Sequence, residues 1–78
     1  MKTMSRILYD VFCQNVREKM AQLGISQSEL ADRLGVEPSY VSQILNGHRR
    51  PGLDSLESFA AALKTEPSEL IRKFAKTA

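Results

Sequence analysis

The sequence has few of the residues on which catalysis, metal binding and cross-linking depend. Its 78 residues include one cysteine, Cys13, one histidine, His48, and no tryptophan. A lone cysteine cannot form a disulfide within the chain, and beside Phe12 in an apolar pattern it is predicted to be a small buried hydrophobe. A lone histidine supports neither a His-based catalytic dyad nor a metal site of protein ligands alone. The sequence therefore predicts that the protein is not an enzyme and holds no cofactor or metal.

Long apolar runs are also missing. No run approaches the roughly 20 residues that a membrane-spanning helix needs, and no signal-peptide pattern is found. With 42% hydrophobic and 26% charged residues, the composition is typical of a soluble domain with a small core. We expect a cytoplasmic protein with no membrane partner, and no segment of the sequence indicates a small-molecule ligand.

What the sequence does contain is helical periodicity along most of its length. Apolar residues recur at spacings of three and four over residues 7–23 and again over 53–63, which predicts an all-α fold. The two predicted apolar stripes are Leu8, Val11, Phe12, Val16, Met20 and Leu23, and Leu53, Leu56, Phe59, Ala60 and Leu63. A last helix is predicted from Pro67 to about Phe74. The expected organisation is a compact five-helix domain over 6–75, with tails at 1–5 and 76–78.

The middle of the chain, residues 26–47, predicts two short helices joined by a tight turn. Ser26 followed by Glu29 is a capping box, which predicts that a helix begins at Gln27. Gly35 ends that helix after about two turns, and Pro38 suits the first position of the next one. A short helix, a turn containing glycine and a second helix form the helix-turn-helix pattern.

The second of these helices has one apolar and one polar face. Val41, Ile44 and Leu45 share the apolar stripe. The residues off that stripe carry hydroxyl or amide groups, and they are Ser39, Tyr40, Ser42 and Gln43. Such a face is either an ordinary solvated surface or one that hydrogen-bonds base edges and phosphates.

The chain from about residue 12 to 70 resembles the phage-repressor family of helix-turn-helix domains. The resemblance rests on S-Q-x-E-L-A-x-x-L-G-V, then a short polar-faced helix, then N-G-x-x-x-P and a leucine-bearing helix. This family includes Cro-like and XRE-like regulators and the controller proteins of restriction-modification systems. The resemblance implies a sequence-specific regulator of transcription, a repressor, encoded by a phage or associated with the bacterial nucleoid.

The resemblance also implies roles for individual residues. The expected base contacts lie on the second helix of the motif, at Pro38, Ser39, Tyr40, Ser42 and Gln43. The expected phosphate contacts lie at the start of its first helix and after its second, at Gln27, Asn46, His48, Arg49 and Arg50. Adjacent arginines suit phosphate oxygens because each offers a planar fork of donors. His48 would contact phosphate when protonated, although an exposed loop histidine is the simpler reading.

Two positions depart from the family pattern. Pro38 stands where many relatives have Gln or Arg, so it can offer a thymine methyl an apolar contact but no hydrogen bond. Met20 and Leu45 stand where many relatives pair an Arg with a Glu. We expect an apolar contact to replace that ion pair, a change that often costs nothing because desolvation offsets most of the attraction between buried charges.

Positive charge is modest and uneven, with a net charge of +2. Between residues 26 and 50, three arginines are matched by three acids, Arg33, Arg49 and Arg50 against Glu29, Asp32 and Glu37. Most of the other bases lie toward the two ends of the chain, at Lys2, Arg6, Arg17, Lys19, Arg72, Lys73 and Lys76. Few phosphate contacts and a shallow salt dependence are therefore expected.

Ile71 and Phe74 are the candidate dimer-interface residues. If they project from the domain, they form an apolar patch of the kind that marks a partner surface. The family implies a homodimer on duplex DNA with an inverted-repeat operator. The alternative is an antitoxin or protein-interaction module that keeps the helix-turn-helix shell. The operator, the sign of regulation and the choice between a phage repressor and a restriction-modification controller stay open.

Overall fold

The computed structural model describes residues 5–72, and their backbone confirms the all-α prediction. Five helices follow one another: α1 (Arg6–Leu23), α2 (Gln27–Leu34), α3 (Pro38–Leu45), α4 (Leu53–Ala62) and α5 (Pro67–Leu70). The predicted tail residues 1–4 and 76–78, and Phe74, lie outside the described residues.

Serine side chains cap the N-termini of the first two helices. The Ser5 hydroxyl accepts a hydrogen bond from the Leu8 amide at 3.2 Å, and the Ser26 hydroxyl accepts one from the Glu29 amide at 3.1 Å. These bonds satisfy amides that have no partner inside the helix. The Glu29 side chain does not complete the predicted capping box, because its carboxylate lies 3.4 Å from the Arg33 guanidinium.

The turn of the motif depends on Gly35. Its φ of 73° lies in the left-handed region, which costs glycine no steric clash. In that conformation the Gly35 amide reaches the Asp32 carbonyl, at 3.2 Å, and the next amide reaches the Ala31 carbonyl, at 3.0 Å. The chain leaves α2 at once, and Pro38 begins α3 three residues later with its fixed φ already helical.

The core is built from residues of all five helices. The Phe12 and Phe59 rings pack edge to face, with centroids 5.2 Å apart. The buried apolar residues are Tyr9, Phe12, Val16, Met20, Leu30, Ala31, Val41, Ile44, Leu45, Leu56, Phe59, Ala60, Leu63 and Leu70. The predicted stripes were wrong at their ends, because Leu23 is 41% and Leu53 48% exposed. Both are terminal residues of their helices, beyond the packed faces.

The fifth helix is shorter than predicted, because it ends at Leu70 instead of continuing to about Phe74. The buried Asn15 side chain donates from Nδ2 to the carbonyls of Leu70 and Arg72, both at 2.8 Å. One amide group therefore binds the carbonyl at the end of α5 and another carbonyl two residues later. The periodicity of the sequence contains no signal for this bond.

Candidate nucleic-acid interface

Helix α3 separates its apolar and polar residues as the sequence predicts. Val41, Ile44 and Leu45 are buried in the core. On the other side, Pro38, Ser39 and Gln43 are exposed, while Tyr40 and Ser42 are half-buried. The five predicted base-contact residues therefore all lie outside the buried stripe of α3. Three of them face solvent, while Tyr40 also packs against the core.

The C-terminal end of α3 is held by three side chains of α1. The hydroxyl of Tyr9 and the thiol of Cys13, at 3.4 Å, donate to the Ile44 carbonyl. One turn further along α1, Nη2 of Arg17 donates to the Leu45 carbonyl at 2.8 Å. The last carbonyls of a helix have no partner within it and attract positive charge, so these donors stabilise the end of α3.

Tyr9, Cys13 and Arg17 form this contact because residues four apart share a face of α1. Sequence reasoning missed the contact, since it placed Cys13 in the core and counted Arg17 only among the charges toward the chain ends. The four-residue spacing of three donors was visible in the sequence. Nothing local, however, indicated that α3 ends opposite them.

Burial keeps two of these donors protonated. It raises the pKa of the Tyr9 hydroxyl to about 12, helped by the neighbouring Cys13 and opposed by the Gly47 backbone and the Arg50 charge. Burial also raises the pKa of the Cys13 thiol, against the smaller opposing effects of the Tyr9 hydrogen bond and Arg17. Both groups therefore donate hydrogen bonds at neutral pH.

The two arginines of the α3–α4 loop, residues 46–52, reach different parts of the molecule. Nε of Arg49 donates to Oε1 of Gln43 at 3.2 Å, and its guanidinium carbon lies 5.3 Å from the centre of the Tyr40 ring. The guanidinium of Arg50 instead lies over the Tyr9 ring, at 5.8 Å. The sequence grouped both residues at an exposed loop tip, but the structure separates them.

The remaining predicted phosphate contacts lie at the end of α3 and at the start of α2. Asn46 caps the end of α3, where its Nδ2 donates to Oγ of Ser42 at 3.1 Å. His48 is exposed, and its amide closes the turn by donating to the Gln43 carbonyl at 2.9 Å. Gln27 is the half-buried first residue of α2.

The candidate dimer-interface residues are Ile71 and Phe74, and the structure describes only the first of them. Ile71 is half-buried and packs against the core, so less of its side chain is available to a partner than the sequence suggested. Phe74 lies outside the described residues. The large apolar side chains exposed in the described part of the chain are Ile7, Leu23 and Leu53.

Residues 5–72 offer neither a metal site nor a membrane span. These residues contain no group of three or more His, Cys, Asp or Glu side chains placed to hold a metal ion. None of their helices is both long and apolar enough to span a membrane.

The order and geometry of the helices agree with a comparison to known families. The model of the helix-turn-helix family matches residues 16–70. This chain belongs to that family. The match confirms the phage-repressor resemblance, and since members are regulators of transcription the protein is a DNA-binding regulator and not an enzyme.

Two sequence relatives support the assignment. Control protein C.BamHI of Bacillus amyloliquefaciens is 32% identical over 62 residues, which are 78% of this chain and 76% of the relative. An uncharacterized HTH-type transcriptional regulator of Archaeoglobus fulgidus is 47% identical over 38 residues, 49% of this chain. The matched region spans only 17% of that archaeal protein.

Two solved structures share the fold of this helix-turn-helix protein. A hypothetical transcription factor, NHTF, from Neisseria superposes with a TM-score of 0.81 at 28% identity, over 94% of this chain and 85% of the other. The restriction-modification controller protein C.AhdI from Aeromonas hydrophila gives a TM-score of 0.71 at 36% identity, over 82% and 94% of the two chains.

Proposed function

We propose that the protein represses transcription by binding an inverted-repeat operator in duplex DNA as a homodimer, with α3 in the major groove. The observation that carries the proposal is the exposed polar face of α3, whose other face is buried and whose C-terminal end is hydrogen-bonded to α1. An α-helix fits the width of the major groove, and a rigidly held helix can align its side chains with base edges.

The base contacts in this proposal are Pro38, Ser39, Tyr40, Ser42 and Gln43. Ser39 and Gln43 are exposed and can hydrogen-bond base edges directly. Pro38 offers only an apolar surface, suited to a thymine methyl. Ser42 is bonded to Asn46, so it contributes to a base contact through its remaining hydrogen-bonding capacity.

The phosphate contacts in this proposal are Gln27, Asn46, His48, Arg49 and Arg50. Gln27 lies at the start of α2, where backbone amides and the helix dipole favour an anion. The guanidinium of Arg50 lies over the Tyr9 ring of α1 and is exposed, so it can bind a phosphate. Arg49 borders both groups, because its side chain contacts Tyr40 and Gln43 on the base-facing side.

Dimerisation follows from the operator that such a domain requires. A twofold dimer presents two copies of α3 about one turn of DNA apart, roughly 34 Å, and so reads an inverted repeat. Ile71 and Phe74 are proposed to contribute to the interface. Two of the relatives, C.BamHI and C.AhdI, are controller proteins, which supports a role in controlling a restriction-modification system.

The test is in vitro selection of DNA from a random duplex pool, followed by sequencing of the bound fraction. Enrichment of an inverted repeat, together with a sedimentation mass of two protein chains on one duplex, is the expected result. No enrichment at low salt would contradict the proposal and favour the protein-interaction alternative. Enrichment of a single half-site would contradict the homodimer alone.

A further inference from the structure

Gln43 and Arg49 form a pair on the outward side of α3. The two side chains meet through one hydrogen bond of 3.2 Å, from Nε of Arg49 to Oε1 of Gln43. Both residues are exposed, so this contact is part of the surface that the proposed function turns toward DNA. We call it the Gln43–Arg49 pair.

The chemistry of arginine decides which way the Gln43 amide points. A guanidinium has only donors, so the amide oxygen must face it. The amide nitrogen of Gln43, which carries two N–H donors, then points away from Arg49. Arg49 donates to Gln43 from Nε. Among the described residues, its two Nη groups have no hydrogen-bond acceptor and can donate to a further partner.

Tyr40 fixes the position of the arginine. The Arg49 guanidinium carbon lies 5.3 Å from the centre of the Tyr40 ring, within the range of a cation–π contact. Tyr40 and Gln43 are three residues apart, and so lie on adjacent turns of the same side of α3. Arg49 therefore reaches back from the loop and lies beside the base-facing residues.

We infer that the Gln43–Arg49 pair reads a guanine in each half-site, an inference that rests on the proposed function. Glutamine alone recognises adenine with both amide groups, its oxygen on N6 and its nitrogen on N7. In the pair one lone pair of that oxygen is occupied by Arg49, and the Nη groups of Arg49 add donors beside the Gln43 amide nitrogen, so donors predominate on the outward side of the pair. Guanine offers two acceptors, N7 and O6, at the spacing that an arginine fork matches.

The neighbouring Arg50 provides a matched control. It carries the same charge one residue further along the loop, but its guanidinium lies over the Tyr9 ring on α1 and away from Tyr40 and Gln43. Arg49, given above as a phosphate contact, is thereby reassigned as a base contact, and Arg50 stays a phosphate contact. Arg49→Ala should then change the preference for guanine, whereas Arg50→Ala should weaken binding to all sequences alike.

The experiment measures binding of the selected inverted repeat by fluorescence anisotropy, with the candidate guanine or 7-deazaguanine in each half-site. The 7-deaza base keeps Watson–Crick pairing but lacks the N7 acceptor. The unsubstituted protein and Arg50→Ala should each lose about 10-fold in affinity on this replacement. Arg49→Ala should bind the guanine operator less tightly than the unsubstituted protein. Its affinity should then fall by less than about twofold when guanine is replaced by 7-deazaguanine. Circular dichroism melting checks that all variants fold.

Three outcomes would overturn the inference. The first is a half-site in which replacing guanine with 7-deazaguanine nowhere lowers affinity. The second is an adenine at the position where Gln43→Ala relaxes the base preference. An unchanged 7-deaza penalty in Arg49→Ala, with affinity lowered for all sequences alike, would make Arg49 a phosphate contact. In all three cases the inverted repeat is still selected and the proposed function stands. If no repeat is selected, the proposed function fails as well.

Discussion

Arg17 donates from Nη2 to the backbone carbonyl of Leu45 at 2.8 Å, and so joins the middle of α1 to the end of α3. The family resemblance implies that an arginine and a glutamate at the positions of Met20 and Leu45 would make this connection between side chains. Here those two residues are buried in the core, and the arginine lies three residues earlier on α1. The cation bonds the backbone of Leu45 instead of a side chain.

Arg17→Ala should lower stability by about 1 kcal/mol, because it removes a charged donor from the C-terminal end of α3. In a domain of this size, that corresponds to a fall in Tm of about 4–8 °C. Arg6→Ala is the matched control, since it removes the same charge from the first turn of α1, where the helix dipole disfavours it. Equal Tm losses in the two variants would show that the Leu45 contact contributes nothing.

Met20→Arg should destabilise the protein by about 3 kcal/mol or more, because it puts a charge without a partner into the core. The double substitution Met20→Arg with Leu45→Glu should recover part of that loss by restoring the ion pair of the relatives. Met20→Leu, which conserves volume, controls for packing. Thermal melts measure all three, and unchanged stability in Met20→Arg would refute the apolar replacement.

Asn15→Ala should cost about 2 kcal/mol, since the buried Leu70 carbonyl and the partly buried Arg72 carbonyl then lose their donor. Urea denaturation compares this variant with Gln14→Ala, a substitution at the adjacent exposed position. Hydrogen exchange should also speed up in the residues around Leu70. If exchange there stays as slow as in the unsubstituted protein, Asn15 does not hold the end of α5.

Alkaline pH should weaken the contact between α1 and α3. Folding raises the pKa of Tyr9 from 10.0 to about 12, so its stabilising effect is complete below pH 10 and is lost as the pH rises toward about 12. Tyr9→Phe lacks this group and should be less stable at neutral pH, by about 1 kcal/mol. Urea denaturation at increasing pH should show the difference between the two proteins shrinking above pH 10. A constant difference would rule out a contribution from Tyr9 ionisation.

Gln43→Ala and Arg50→Ala should change DNA binding in different ways. Loss of Gln43 should relax base preference at one position of each half-site, because a base-edge contact is removed. Loss of Arg50 should weaken binding to all sequences alike and lower the salt slope by about 1. Selection experiments and salt titrations measure the two effects. If both variants lose the same preference, or neither loses any, the division between base and phosphate contacts is wrong.

The sequence by itself determined where most helices begin and end and which face of α3 is buried. These features depend on neighbours three or four residues away: Ser26 caps its own helix, Gly35 turns the chain beside it, and Pro38 starts the next helix. The helix-turn-helix motif was therefore readable, and its family with it. Its local signals were weakest at helix ends, where Leu23 and Leu53 proved exposed.

The tertiary structure alone decided which polar side chains meet. Arg17 hydrogen-bonds the Leu45 carbonyl, 28 positions away in the sequence, and Asn15 hydrogen-bonds the Leu70 carbonyl, 55 positions away. Arg49 and Arg50 are adjacent in the chain but contact different helices. Periodicity shows which side of a helix avoids water, but it does not show which other helix lies against that side. Long polar side chains produce no periodic pattern in the sequence. Their hydrogen-bond partners can therefore be identified only in the packed structure.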